Sequence, residues 1–494
     1  MSALIAAPIL LPLFGAALSI GVGRSRLAQQ VIGIITLSSA AVASVALLVR
    51  VDQEGIQTVQ AGGWRAPIGI TLVADRLAAI MLVVAMFMLV AVLVYAIGEP
   101  GAERHHVGFH PVYLILASGV AAAFLTGDLF NLFVAFEVML MASYVLITLG
   151  GRPEQVRSGM TYVVVGLIAS MLFLLALAFL YAATGTVNMA DLSVKIADLP
   201  AGVRSGLALM LIVVFGIKAA IFPLFFWLPD SYPTAPSPVT AVFAGLLTKV
   251  GVYALIRSQT LLFPADTQPG NLLLVVAGLT MVVGVFGAIT QNDVKRILSF
   301  HIVSQIGYMI MGLGLFTVAG LAGAVLYIVH HIVVKTTLFL VAGLIEERNA
   351  TSDLSKLSGL ARLEPLLGVL FLLPALSLAG IPPFSGFVAK VALIDAGVSA
   401  RSYAIVAVSL AVSLLTLFSM TKIWANVFWG PHPEDPGRRT LTAPRRALMV
   451  GSTASLVILS LAIAVAAGPL YTLSARAAED LIDPTNYVRS VLGS

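Results

Sequence analysis

The chain has 494 residues, of which 59% are hydrophobic and only 10% charged, with a mean hydropathy of +1.02 and a formal net charge of +5. Soluble domains carry about 25% charged residues, so this composition excludes a soluble globular protein and reads as an all-α polytopic membrane protein. The absence of cysteine excludes disulfides, thiolate metal sites, iron–sulfur clusters and cysteine nucleophiles, and basic residues spread thinly over many connections argue against nucleic-acid binding.

A span needs about twenty mainly apolar residues. That criterion predicts about fourteen segments: Ala3–Ile20, Ala28–Leu48, Leu77–Ile97, Pro111–Thr126, Leu129–Leu149, Ser158–Ala182, Gly206–Leu228, Pro238–Ile256, Leu272–Thr290, Ile297–Phe316, Gly320–Leu344, Pro365–Ala396, Ser402–Trp429 and Ala447–Leu470. The first is expected to be a retained span, because no basic leader or small-residue cleavage site accompanies it. Two segments carry interruptions. The seventh runs GIKAAIFPLFFWLPD, with Pro223 soon after Lys218, and the twelfth runs SLAGIPPFSGFVAKVAL, with Pro382 and Pro383 ahead of Lys390. A proline deletes one backbone hydrogen bond and disturbs the preceding turn, so both helices are expected to be broken. Paired interruptions in two halves mark the site of many repeat-built transporters.

Basic residues outside the segments are unevenly shared. Connections after odd-numbered segments hold fourteen: Arg24, Arg26, Arg104, Arg152, Arg157, Lys295, Arg296, Arg348, Lys356, Arg362, Arg438, Arg439, Arg445 and Arg446. The opposite side holds nine: Arg50, Arg65, Arg76, Lys195, Arg204, Arg257, Arg401, Arg476 and Arg489. The positive-inside rule then places the odd connections in the cytoplasm and both termini outside.

Inside the apolar runs stand Glu137 and the lysines Lys218, Lys249, Lys335 and Lys390. A lone charge at mid-span costs roughly 2.5–3.5 kcal/mol even on the lenient insertion scale, so these five are read as a functional file. Helical spacings of three, four and seven give them polar company. Tyr144 lies seven residues after Glu137, and Tyr253 four after Lys249. Tyr327, His331 and Lys335 follow at steps of four, and His301, Ser304, Gln305 and Tyr308 form a further stripe. Such stripes hold water chains, and protons are the ion that such a file carries. Moving one charge across 100 mV is worth about 2.3 kcal/mol, comparable to a shift of one or two pKa units in a buried lysine. Lys422, beside Trp424 and Trp429, is read as a snorkelling lysine. His330 points to another face than His331, and His105 and His106 belong to a solvated loop. No Walker-type loop, HExxH or Gly-rich dinucleotide turn is present, so no cofactor is expected.

The blocks TGDLFNLFVAFEVMLMASY (126–144), FWLPDSYPTAPSPVTAVFAGLLTKVGVY (226–253), DVKRILSFHIVSQIGYM (293–309) and SLAGIPPFSGFVAK (377–390) carry a resemblance that extends over most of the chain. The chain resembles the antiporter-like proton-translocating subunits shared by respiratory complex I, membrane hydrogenases and Mrp-type multisubunit sodium/proton antiporters. That resemblance implies fourteen helices with two inverted five-helix repeats. It divides the chain into 1–110 (helices one to three), 111–258 (first repeat), 270–430 (second repeat) and 431–494 (the last helix and a tail). It implies a buried pair of Glu137 with Lys218, a central Lys249, an axis continuing through Lys335, and an outlet at Lys390. His331 falls where some relatives carry a histidine, and Tyr327 replaces a second one. Because the chain ends soon after its fourteenth segment, the resemblance favours D-type over A-type subunits.

The expected function is proton translocation along Glu137, Lys218, Lys249, His331, Lys335 and Lys390, within a hetero-oligomeric Na+/H+ antiporter of a bacterial plasma membrane. The sodium route is expected in a partner subunit, since one buried carboxylate makes a poor cation cage. Two alternatives stand beside it: the equivalent pump subunit of a quinone-reducing complex or hydrogenase, and a non-conducting scaffold.

Overall fold

In a bilayer every backbone N–H and C=O must be satisfied within the chain, which leaves the helix as the form open to long apolar runs. The computed structural model describes residues 2–99, 101, 108–431 and 442–493. His105, His106, Arg104, Arg438 and Arg439 lie outside the described residues.

The helices are α1 (Ser2–Gly21), α2 (Arg26–Glu54), α3 (Arg76–Gly98), α4 (Phe109–Leu125), α5 (Leu129–Thr148), α6 (Pro153–Thr184), α7 (Met189–Ala197), α8 (Ala201–Ala219), α9 (Ser237–Leu261), α10 (Gly270–Thr290), α11 (Val294–Gly314), α12 (Val318–Asn349), α13 (Pro365–Ala379), α14 (Ser385–Ser399), α15 (Tyr403–Val427), α16 (Ala443–Val465), α17 (Ala467–Ile482) and α18 (Thr485–Leu492). Among the described residues twelve are long and apolar enough to cross a membrane. Every expected segment falls on a helix, but α4 and α13 are apolar and shorter than that length. A small antiparallel hairpin, β1 (Gln57–Gln60) with β2 (Thr71–Ala74), pairs Gln57 with Ala74 between α2 and α3. Of the helices numbered here, α7, α17 and α18 had no span of their own in the hydropathy pattern, being too short or too polar to span.

Both expected interruptions are present. After Ala219 the chain leaves the helix over 220–226 and resumes in one turn, Trp227–Ser231. At that break the Ile217 carbonyl accepts from Ala220 N and from Trp227 Nε1, each at 3.2 Å. The twelfth segment, expected as one long element, is split into α13 and α14 at 380–384.

The two halves share local devices. Asp128 caps α5 by accepting from Asn131 N at 2.8 Å, and Asp293 caps α11 by accepting from Arg296 N at 2.9 Å. Each also forms an isolated β-bridge, Asp128 with Asn188 and Asp293 with Asp353, at the same separation along the chain. A carboxylate at a helix N-terminus satisfies orphan N–H groups and complements the dipole.

The hydrophobic windows of α9 and α12 are buried throughout. A helix apolar on all sides belongs in the interior, and here each of the two brings one lysine with it. α12 packs against α3, α9, α11, α13, α14, α16 and α17. At the end where α9 finishes, Arg257 makes a bidentate pair with Asp75, with contacts of 2.6 and 2.7 Å. Its guanidinium also lies 5.4 Å from the ring centres of both Tyr253 and Tyr487. Asp75 in turn caps α3 through Ala78 N. Arg76 joins Asp52 and Asp480 beside this pair, so the C-terminal helices α17 and α18 are stapled to the bundle.

Candidate functional site

The first group of charges lies between α5, α6 and α8. Glu137 and Lys218 form no ion pair within 4 Å among the described residues. Ser170 of α6 stands between them, donating to Glu137 and accepting from Lys218 Nζ at 3.3 Å. Lys218 also donates to the Gly166 carbonyl at 3.4 Å and lies 5.6 Å from the centre of the Phe136 ring. The direct pair expected from the sequence is thus a serine-bridged one. Tyr144 is not part of it, since its hydroxyl has no hydrogen-bond partner among the described residues and its ring packs edge-on against Tyr162.

Lys249 sits just after a π-helical stretch, Phe243–Leu247, in the middle of α9. Such bulges misalign carbonyls from their usual donors and recur at functional sites. Lys249 Nζ takes the Ala244 carbonyl at 2.5 Å and Thr248 Oγ1 at 3.2 Å. Two glycines allow α9 to come this close to its neighbours. A Cβ on Gly251 would stand 2.6 Å from the Ala219 nitrogen at the break after α8, and one on Gly245 would stand 2.1 Å from Thr336 Oγ1 of α12. Lys218, Lys249 and Lys335 are thereby brought onto converging backbones. Tyr253, grouped with Lys249 by spacing, instead donates to the Phe124 carbonyl at 2.7 Å and accepts from Arg257. It belongs to the Arg257–Asp75 staple.

The middle of the site is α12 against α11. Tyr327 donates to Gln305 Oε1, and Gln305 Nε2 reaches Thr416 Oγ1 at 3.4 Å. The Tyr327 ring stacks on Tyr308 at 5.2 Å and on His331 at 6.3 Å. His301 Nε2 meets Ser419 Oγ at 2.5 Å. Both His331 nitrogens and Lys335 Nζ are buried with no hydrogen-bond partner among the described residues. Leaving a buried polar group unsatisfied costs about 1–3 kcal/mol, and more when it is charged. Lys249, His331 and Lys335 lie within one another's electrostatic reach. Ser304 points elsewhere: its hydroxyl donates to the Met281 carbonyl and fastens α11 to α10.

The last group surrounds Lys390 at the second break. Its Nζ donates to the carbonyls of Leu378 at 3.0 Å and Ala379 at 3.1 Å, the orphans left where α13 ends. A cation there also complements the negative end of the helix dipole. A third bond goes to Ser413 Oγ at 3.0 Å, and Ser413 meets Tyr308 Oη at 2.9 Å. Tyr308 spends its own proton on the Ser409 carbonyl at 2.6 Å, so Ser413 donates to the tyrosine and accepts from the lysine. His330 faces away from this chain and bonds Ser385 Oγ at 2.8 Å, tying α12 to the start of α14. Lys422 takes the carbonyls of Ile289 and Gln291, capping α10 at the edge of the bundle.

Sequence reasoning missed Ser170, Ser413, Thr416 and Ser419. Lone hydroxyls in apolar helices are ordinary, and only the fold shows that these four face titratable or polar side chains of the site. Arg257 had a signal, since it lies eight residues after Lys249 on the same helical face.

Residues 126–416 match the family described as "NADH:quinone oxidoreductase/Mrp antiporter, TM". The chain is 46% identical to the D-type member of the Na+/H+ antiporter of Alkalihalophilus pseudofirmus, over 100% of both chains. It superposes on a chain in the structure of the Mrp complex from a Dietzia species with a TM-score of 0.93, at 34% identity over 100% of both. It is also similar to a chain of the membrane-bound sulfane sulfur reductase, an archaeal respiratory membrane complex, with a TM-score of 0.89 and 26% identity over 99% of each.

Proposed function

The chain belongs to the NADH:quinone oxidoreductase/Mrp antiporter membrane family, and from that premise we propose that it is the proton-translocating subunit of a multisubunit Na+/H+ antiporter. It is a multi-pass membrane protein that works beside other subunits, in the plasma membrane of a bacterium with both termini outside. Its fourteen segments comprise two inverted repeats, 111–258 and 270–430, flanked by 1–110 and 431–494. The shared Asp128 and Asp293 caps, their matching β-bridges and the breaks at 220–226 and 380–384 support that division.

Protons pass along Glu137, Ser170, Lys218, Lys249, His331, Lys335 and Lys390. One observation carries this proposal. Three of the four axis lysines stand at a backbone irregularity (a break, a π-turn and a second break), and two of these three bond carbonyls located there. Half-channels at the two breaks give entry and exit, and His331 with Lys335 joins them. Sodium crosses through a partner subunit.

The identity gradient, from 46% with an antiporter component to 26% with a component of a respiratory complex, favours the antiporter over a redox-driven pump. The test is sodium-dependent proton flux in everted vesicles holding the whole complex. Lys249→Ala should abolish the flux while the complex still assembles. Flux that survives in the assembled variant would reduce the chain to a scaffold.

A further inference from the structure

One buried carboxyl has no place in the axis just described. Glu99 directly follows α3, is 8% exposed, and its Oε2 has no hydrogen-bond partner among the described residues. It stands at the face onto which the odd-numbered connections open, where three helices come together. Tyr95 of α3 donates to the Leu340 carbonyl of α12 at 3.0 Å. A Cβ on Gly343 of α12 would lie 2.5 Å from Tyr95 Oη and 2.6 Å from Ser237 Cβ. Ser237 opens α9, the helix of Lys249, and is the hydroxyl that faces Glu99. α12 carries Lys335, and its Glu346, three turns further along the same helical face, pairs with Lys295 of α11. Glu99 therefore sits at the root of both helices that hold the central lysines.

We propose that Glu99 is the proton-exchange group of this face, taking up and releasing protons between the adjoining solvent and the lysine axis by way of Ser237. This rests on the axis being a proton path. The step is a bare proton transfer: an O–H bond forms at Glu99 Oε2 as a water-borne proton is accepted, and breaks when the proton moves on.

The surroundings suit the task. Burial pushes the Glu99 carboxyl up to about 8, with Lys295 pulling it down and Glu346 and Glu347 pushing it further up. Other groups at that end are Arg26 at the start of α2, His110 at the start of α4 and the exposed Arg445 at the start of α16. A proton relay is fastest when its pKa lies near the working pH. Between pH 7 and pH 9 the ratio of protonated to ionised Glu99 swings from about 10:1 to about 1:10.

The experiment uses the intact complex in everted vesicles, with Glu99→Gln, which keeps shape and hydrogen-bonding capacity, and Glu99→Asp, which keeps the titration. Wild-type flux should rise about tenfold from pH 7 to pH 9 as the carboxyl frees its proton. Glu99→Gln should flatten that rise to under about twofold, and Glu99→Asp should restore a slope. Infrared difference spectra supply a readout independent of transport: a protonated-carboxyl band lost through about pH 8 in wild type and missing in Glu99→Gln. An unchanged pH profile in Glu99→Gln, with Lys249→Ala inactive, overturns this proposal and leaves the axis standing. Activity in Lys249→Ala overturns the axis, and this proposal falls with it.

Discussion

Ser170 is the sharpest place to test the site, because it touches both charges and carries none. Lys218 donates to its oxygen and its hydroxyl donates to Glu137. Ser170→Ala removes one hydrogen bond from each partner, while Lys218 keeps only the Gly166 carbonyl at 3.4 Å. A hydrogen bond to a charged group contributes about 1.5–3 kcal/mol. If one such interaction is lost in the state that passes the proton, and each 1.36 kcal/mol is tenfold in rate, flux should fall by about 10- to 150-fold. A water seated in the vacated space would bring the loss toward the lower end. Ser170→Thr keeps the hydroxyl and should restore most of the rate. Neither substitution changes a charge, so assembly should be unaffected, as judged by the other subunits retained on purification. The assay is the initial rate of sodium-driven pH change in everted vesicles at equal complex content. Full flux in Ser170→Ala would refute the bridging role and mean that Glu137 and Lys218 communicate without it.

Two further perturbations address the framework. Arg257→Ala leaves Asp75 buried without its partner, which should destabilise by about 3–5 kcal/mol, seen as a lower melting temperature of the detergent-purified complex. The double variant Arg257→Met with Asp75→Asn, which keeps an acceptor for the α3 cap, should recover most of that loss; no recovery would mean the guanidinium matters for more than charge balance. Gly251→Val would drive a side chain into the backbone at Lys218–Ala219, and overpacking of this kind costs about 1–3 kcal/mol. Flux should drop with it, and a fully active Gly251→Val would show that α9 and the break after α8 need not touch.

Much of this architecture was legible in the residues, because hydropathy reports burial in lipid directly. The breaks were legible too: Pro223 and Pro382-Pro383 cannot donate a backbone hydrogen bond, and no surrounding sequence changes that. The short helices α7, α17 and α18 were not, since a hydropathy window of span length averages them away. Their placement depends on tertiary contacts such as Arg76 with Asp480 and Thr58 with the Ser490 carbonyl, which join residues hundreds of positions apart. Spacing on one helix identified candidates but assigned partners poorly. Tyr253 shares a helical face with Lys249 yet bonds across to α4, and Ser304 stands among polar neighbours yet bonds to α10. A helical period says which way a side chain points, not what waits there.

The distribution of acceptors along the axis says where its barrier lies. Lys218 has two oxygens and Lys390 has three, supplied by neighbouring helices and by the break after α13. Lys249 has two oxygens, the Ala244 carbonyl within the π-turn and Thr248 Oγ1. Lys335 lies in an uninterrupted helix, and its Nζ has no partner among the described residues. A regular helix has few free carbonyls, so a helix end or irregular turn makes a buried ammonium easier to satisfy, as at Lys249 and Lys390. The two ends of the path are therefore furnished for a positive charge and the middle is not. A proton at Lys335 is the costly state, because no acceptor meets it there. On the path proposed above, that arrangement makes the His331–Lys335 segment the step that would separate the two half-channels. On that proposed path, a crossing poor in acceptors between two ends that supply them would let one side fill before the other empties, which is the condition for exchange without leak.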